Sequence, residues 1–489
     1  MVTHCYFYYL LKCCKFSQMS QNIYKTHSKF GAGIFLVILL CMVFGARGDL
    51  LSTEILATRN VNNTQTYIET ELAQIVTDMF SIEPAKYGYW MYKITYETID
   101  INGNPHVASG TVSYPRVDWP DIPDQAFPIL SYQHGTVVEK SSVTSINGEW
   151  ILPAILTGAG YVYVESDYLG LGDSEGMHPY QIQEPYGIAG MDMLRAVRYF
   201  ASFENDQFFV NDQLFLAGYS EGGYATMAMH QIIERDYSDE LTITISFPMA
   251  GAYSMSGIMV DLMLEQQPYG EPFYFPYVLF AYLDSYPSIG TVEQFLLPEY
   301  VFLEDWFDGY HSGGEINDAM PSIPITIMKP EEIQNFEIDT DHPLRIALQE
   351  NDLWNWVPLA PMHMMHGAGD ELVPYENSQM AYDQFVVNGA EEVSLEEIPE
   401  SFGGHADVAP WALFGAYQIA KEIQIINELG DVNQDGSLNI LDLVGIANVV
   451  LAGTSPGGFD YILWASDVNM DGDINIQDIV ALVNFILEN

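Results

Sequence analysis

Across residues 90–115 (WMYKITYETIDINGNPHVASGTVSYP) apolar and polar side chains alternate on either side of Asn102-Gly103, which predicts an antiparallel hairpin closed by a tight turn. The pattern then changes. Short, nearly unbroken apolar runs recur at 128–133 (PILSYQ), 161–166 (YVYVES), 214–219 (LFLAGY), 243–251 (ITISFPMAG) and 362–367 (MHMMHG), separated by helix-length segments. Apolar runs spaced in this way predict buried strands of a mostly parallel sheet flanked by helices. The expected fold class is α/β, with polar and Gly-rich residues at the carboxyl ends of the strands, where such sheets place their sites.

Two stretches break this rhythm. From about 252 to 360 no strand–helix alternation is visible, and Tyr, Phe, Met and Leu dominate, as in FYFPYVLFAYLDSYP (273–287). This predicts a helical cap insertion that offers an apolar surface to a substrate. Near the carboxyl end, DVNQDGSLNILD (431–442) recurs as DVNMDGDINIQD (467–478), each followed by an apolar helical stretch. The repeat predicts a small all-α module over 430–489. No Pro/Gly-rich linker precedes it, so it is expected to sit close against the main domain, 49–429.

Composition narrows the function. Of 489 residues, 48 % are hydrophobic and 17 % charged, and 66 acidic side chains against 16 basic ones give a formal charge of −50. So negative a chain repels nucleic acids and anionic membranes, and suits salty water where screening softens self-repulsion. Residues 1–48 carry Lys12, Lys15, Lys25, Lys29 and Arg47 but no acid, and GAGIFLVILLCMVFGA (31–46) is an apolar run too short to span a bilayer. This is the pattern of a secretory signal peptide cleaved just before Asp49. The expected product is extracellular, with no integral membrane segment. All four cysteines (Cys5, Cys13, Cys14, Cys41) fall in the leader, so the exported chain has neither disulfides nor a thiol nucleophile.

Gly218-Tyr219-Ser220-Glu221-Gly222 matches G-x-S-x-G after an apolar strand and before a helical run. A strained turn there lifts a Ser hydroxyl out of the sheet, and its glycines leave room for the backbone. The partners follow in the order Ser, acid, His: Asp370 in the loop after MHMMHG, with Glu371 as the fallback acid, and His405 in FGGHAD. His405 would take the proton of Ser220 while Asp370 orients the ring. The competing histidines His311, His342, His363 and His366 read as structural or cap residues. Oxyanion donors are expected from the backbone of Glu221 and of His134 or Gly135 in SYQHGT (131–136). No cofactor is expected for this chemistry.

These residues resemble the secretory-lipase branch of the α/β hydrolases. The resemblance rests on SYQHG (131–135), YVYVESDYLGLGDSEGMHPY (161–180), GYSEGG (218–223), HGAGDELVPY (366–375) and GGHAD (403–407), and spans about 90–425. It implies an α/β-hydrolase fold with a helical cap, a lipase or esterase activity, and Ser220, Asp370 and His405 as the triad. A carbohydrate esterase or peptidase is the enzymatic alternative, and a non-catalytic attachment protein the other.

In each repeat, oxygen-bearing side chains stand at loop positions 1, 3, 5, 9 and 12, with Gly at 6, as hard Ca2+ requires. Site one would use Asp431, Asn433, Asp435, the Ser437 carbonyl, Asn439 and Asp442. Site two would use Asp467, Asn469, Asp471, the Asp473 carbonyl, Asn475 and Asp478. With one helix after each loop and Asp at position 12, the module resembles a dockerin, which implies a cohesin-type scaffold as partner. Positions 10 and 11 depart from the Ser/Thr contacts of the best-known docking mode: they are Ile440-Leu441 and Ile476-Gln477, and a Ca2+-stabilised terminal module serving attachment or stability only is the alternative.

Overall fold

A computed structural model describes residues 47–75, 82–116, 125–148, 150–204, 208–452 and 461–488. The expected leader, up to residue 46 and including its cysteines, lies outside them.

The hairpin forms as the alternation predicts. β2 (Gly88–Ile99) and β3 (Pro105–Arg116) pair antiparallel around a turn in which Gly103 takes φ 79°. β1 (Leu50–Arg59) adds to the outer edge of β2. The five apolar runs become β4 (Gln125–Gln133), β5 (Val162–Ser166), β6 (Phe209–Tyr219), β7 (Ile245–Met249) and β8 (Met362–Gly367), followed by β9 (Val393–Ile398) and the two-residue β10 (Asn427–Glu428). All join one sheet in the order β1-β2-β3-β5-β4-β6-β7-β8-β9, with β10 beside the start of β4. From β5 to β9 every neighbouring pair is parallel. Pro128, which has no N–H for the ladder, lies at the register shift between Phe127 and Ile129.

Helices cover both faces, which is why the central strands lack polar alternation. Besides α1 (Val61–Ile75), they are α2 (Ile151–Gly158), α3 (Gln183–Tyr199) and α4 (Glu221–Asp236). On one face Met191, Leu194 and Val197 of α3 pack with Ile94, Val112, Val164 and Leu216. On the other, Leu156 of α2 joins Leu130, Phe215 and Phe247. Each such buried side chain contributes roughly 1.5–3 kcal/mol.

Between β7 and β8 the chain forms helices joined by turns and loops, with one isolated bridge, Leu296–Met328. Its main helices are α5 (Ile258–Leu264), α6 (Tyr274–Ser285), α7 (Pro330–Ile338) and α8 (Pro343–Glu350). Phe280, Leu303, Ile316 and Phe336 form the interior of this cap. Two more helices, α9 (Glu376–Asn388) and α10 (His405–Glu422), complete the main domain.

The repeat folds into α11 (Ile440–Ala452), α12 (Tyr461–Ser466) and α13 (Ile476–Glu488). Its core of Val432, Ile446, Tyr461, Ala465 and Leu482 includes Ala126 of β4, and Trp464 stacks on Phe209 of β6 at 4.9 Å. Asn211 of β6 donates to the Asn427 side chain (2.6 Å), which in turn donates to Asp431 (2.8 Å). The module therefore shares packing and hydrogen bonds with the strand that leads to Ser220.

Arg47 and Gly48, assigned by the sequence pattern to the leader, pack into the body. Arg47 Nε donates to the buried Asp192 (3.0 Å), and Gly48 N–H donates to Glu97 O (2.7 Å).

Candidate active site

Ser220 sits between the end of β6 and the start of α4 with φ 63° and ψ −123°. That conformation is costly for a residue with a Cβ and persists only because its surroundings over-determine it. Its N–H donates to Met249 O (2.9 Å), and its carbonyl accepts from Gly223 and Tyr224. A Cβ on Gly218 would lie 2.3 Å from Gly222 O, and one on Gly222 2.0 Å from Gln133 O. Both glycines are thus demanded by close backbone approach.

The turn brings three distant side chains together. Ser220 Oγ lies 2.8 Å from His405 Nε2, and His405 Nδ1 lies 2.5 Å from Asp370 Oδ2. His405 is the first residue of α10, and its backbone carbonyl accepts from Tyr219 Oη at 2.7 Å. Asp370 Oδ1 accepts the N–H groups of Leu372 (3.0 Å) and Val373 (2.8 Å). Burial works against the Asp370 carboxylate, but the hydrogen bonds and charges of His366 and His405 outweigh it and hold its pKa well below the usual carboxylate range. Glu371 is placed differently: its carboxylate accepts the backbone N–H of His405 (3.0 Å), not the ring.

The proposed oxyanion donors flank Ser220. Glu221 opens α4, where the first N–H groups of a helix have no intrahelical acceptor. Gly135 follows β4, and among the described residues its N–H has no bonded acceptor. The His134 ring is turned away and stacked on Tyr168 at 4.1 Å, its Nε2 3.3 Å from Asp167 O, which leaves this loop its backbone to offer. Above Ser220 and Glu221 opens a cavity of about 320 Å³, lined by Met255, Met259, Tyr274, Val278 and Leu344 from the cap and its approaches.

Several partners were not foreseen. His366, read as structural, is buried and lies 3.2 Å from Asp370 Oδ2. Glu221, expected to act through its backbone, also has a buried side chain held by His178 and Tyr186, both at 2.8 Å. Asp167 is buried beside His134 and accepts from Ser109 and Ser145, both at 2.5 Å. Burial raises its pKa, although those two hydroxyls pull it down. His178 and Asp167 lie in DYLGLGDSEGMHPY (167–180), one of the segments that carry the resemblance.

The two repeat loops share one geometry. At position 1, Asp431 accepts the N–H groups of Asp435 and Gly436 (3.2 and 2.9 Å), and Asp467 those of Asp471 and Gly472 (3.1 and 2.9 Å). At position 12, Asp442 accepts from Asn433 and Asn439 (3.2 and 2.9 Å), and Asp478 from Asn469 and Asn475 (3.2 and 2.8 Å). The amides of Asn439 and Asn475 donate to the Ser437 and Asp473 carbonyls. Asp431, Asp442 and Asp478 are buried. Burial raises the Asp431 pKa, and the charges of Asp442 and Asp435 add to it. Among the described residues no three His, Cys, Asp or Glu side chains form a metal-holding group. The donors here are instead a mixed oxygen set around buried carboxylates that accept only neutral N–H groups among the described residues, which fits a hard divalent cation.

Comparison with known proteins agrees with both halves. Residues 429–487 match the family model of the dockerin type I domain, a module that binds calcium. The structure is similar to a putative hydrolase from Legionella pneumophila (28 % identity, TM-score 0.67, 76 % of this chain and 97 % of that one). It is also similar to the rice cell wall degrading esterase LipA from Xanthomonas oryzae (26 % identity, TM-score 0.67, 78 % of this chain and 99 % of that one). Candida antarctica lipase A shares the fold (17 % identity, TM-score 0.53, 76 % and 83 % covered). No curated protein sequence matches the chain. The chain has an α/β-hydrolase fold with a helical cap, followed by a dockerin type I domain.

Proposed function

We propose that this protein is a secreted serine hydrolase of carboxylic esters, with Ser220, His405 and Asp370 as its triad. The observation that carries this reading is the hydrogen-bonded series Ser220–His405–Asp370 beneath an apolar cavity. Ser220 Oγ attacks the ester carbonyl as His405 Nε2 takes its proton. The oxyanion is held by the N–H of Glu221 and that of Gly135 in the His134–Gly135 loop. His405 then protonates the leaving alcohol, and the acyl-enzyme is released by water that His405 deprotonates. Asp370 holds the Nδ1–H tautomer and stabilises the imidazolium.

The apolar lining of the cavity favours an acyl group of some length. A second reading, a carbohydrate esterase within an extracellular polysaccharide-degrading complex, is supported by the name of the Xanthomonas relative together with the dockerin domain. The domain would hold one Ca2+ in each loop through the twelve residues named above and dock onto a cohesin-type scaffold. Among the described residues no helix is long and apolar enough to cross a membrane. The test is turnover of aryl esters of increasing acyl length, with Ca2+ and salt present. Ser220→Ala should abolish it by at least ~10⁴-fold. No Ser220-dependent turnover of any ester would overturn the reading. A preference for acetyl or feruloyl esters would favour the carbohydrate branch.

A further inference from the structure

Glu221 follows the candidate nucleophile, and its side chain is fully buried, at 0 % exposure. A carboxylate there is a problem for the proposed reaction. The backbone N–H of the same residue faces a developing oxyanion, and an uncompensated buried negative charge so close would oppose it. The surroundings contain one device that removes the charge. Glu221 Oε1 lies 2.8 Å from His178 Nε2 and accepts from Tyr186 Oη (2.8 Å), while among the described residues Oε2 has no hydrogen-bond partner.

The histidine's other nitrogen fixes the proton count. His178 Nδ1 lies 2.8 Å from Leu169 O, and a carbonyl oxygen can only accept, so Nδ1 carries a hydrogen. Nε2 then faces a carboxylate oxygen, and the hydrogen bond between them needs a second proton. It sits on Nε2 or on Oε1. In either state the pair as a whole is neutral.

The pair also reaches the second oxyanion donor. Four tyrosines surround the His178 ring: Tyr168 (5.6 Å between centroids), Tyr180 (6.0 Å), Tyr186 (5.6 Å) and, from the cap, Tyr277 (5.8 Å). Three of them bond to the loop after β4. Tyr168 Oη donates to His134 O (2.9 Å), Tyr277 Oη to Val137 O (3.0 Å), and Tyr180 Oη pairs with Thr136 Oγ1 (2.9 Å).

We propose that His178 is a positioning residue of the hydrolase. It shares one proton with Glu221, so that the residue after the nucleophile presents its N–H without a net negative charge, and it anchors the tyrosine cage that holds the opposite donor loop. This rests on the ester-hydrolase reading and adds to it a specific electrostatic requirement.

The test is a double-mutant cycle on the full-length protein with an aryl ester, reading kcat and KM separately. His178→Asn should lower kcat about 100-fold, in the range of a lost oxyanion donor, and leave KM within about threefold. Glu221→Gln should cost about tenfold or less. The double variant should recover at least about tenfold over His178→Asn, because the carboxylate that needed neutralising is gone. A double variant no faster than His178→Asn would overturn the proposal, as would a His178→Asn enzyme with unchanged kcat. Should His178→Asn not fold, proton NMR of the wild type supplies a second measurement. A low-field imidazole N–H resonance should disappear in Glu221→Gln, while that of His405–Asp370 persists. Two resonances unaffected by Glu221→Gln would overturn it. Absence of Ser220-dependent turnover in the wild type would instead sink the underlying hydrolase reading.

Discussion

Asp212, on the strand that ends at the candidate nucleophile, exchanges two hydrogen bonds with Gln434 of the first repeat loop: Asp212 N–H donates to Gln434 Oε1 (2.9 Å) and Gln434 Nε2 to Asp212 Oδ2 (2.6 Å). Gln434 sits at φ 59° inside the loop that would wrap a calcium ion. The loop's shape and the start of β6 are thus tied together, and the stacked Phe209–Trp464 pair adds apolar contact at the same seam.

Calcium removal should therefore destabilise more than the module. An ion that binds only the folded loop stabilises whatever unfolds with it. In calorimetry, chelator should lower the Tm of the transition that abolishes esterase activity, by about 5 °C or more. Asp212→Ala with Trp464→Ala should weaken that coupling. An esterase transition insensitive to chelator would show that the seam carries no energy.

The acid side of stability should be set in part by Asp370. Its pKa is depressed in the folded state by His366 and His405, against the cost of burial. The resulting stabilisation is fully present above the unfolded value of about 3.9 and is lost as pH falls through the lower folded value. His366→Phe removes one donor and moves the folded value back up. The variant should be less stable by about 1–3 kcal/mol near pH 6, with the difference shrinking below about pH 3. Urea unfolding at both pH values measures this, and a pH-independent difference would assign the loss to packing alone.

Acyl preference should follow the cavity. Val278 of α6 and Leu344 of α8 line it from the cap. Val278→Trp should cut kcat/KM for octanoyl esters by at least about tenfold and leave acetyl esters within about threefold, because a bulky ring displaces methylenes worth roughly 1–3 kcal/mol each. Equal losses on both substrates would place the acyl chain elsewhere.

Much of the arrangement was legible because it depends on local pattern. The five apolar runs are strands, and G-x-S-x-G forms a turn because backbone atoms crowd Gly218 and Gly222. β1 and β9 escaped notice for a physical reason. LLSTEILATR is exposed along most of its length, and VSLEEI carries acids at the sheet's edge, so neither shows a buried run. His366 and His178 lie in segments that carry the resemblance, yet the sequence does not show what they touch. Their roles come from contacts with residues 4 and 43 positions away, which a fold must create.

Cleavage of the proposed leader should leave Arg47 on the mature chain. The sequence pattern places cleavage before Asp49, yet the Arg47 guanidinium is bonded to Asp192, whose carboxylate has no exposure and is otherwise held by Arg195 (3.0 Å) and Thr98 (2.8 Å). Burial lowers the Arg47 pKa, but Asp192 outweighs it and raises the balance. Losing one partner of a buried carboxylate costs about 3–5 kcal/mol when none remains; with Arg195 still present, about 1–2 kcal/mol is expected. Mass spectrometry of the secreted protein should give an amino terminus at Arg47 or earlier, and a protein made to start at Asp49 should melt several degrees lower. A secreted form that starts at Asp49 and melts no lower than one carrying Arg47 would refute this.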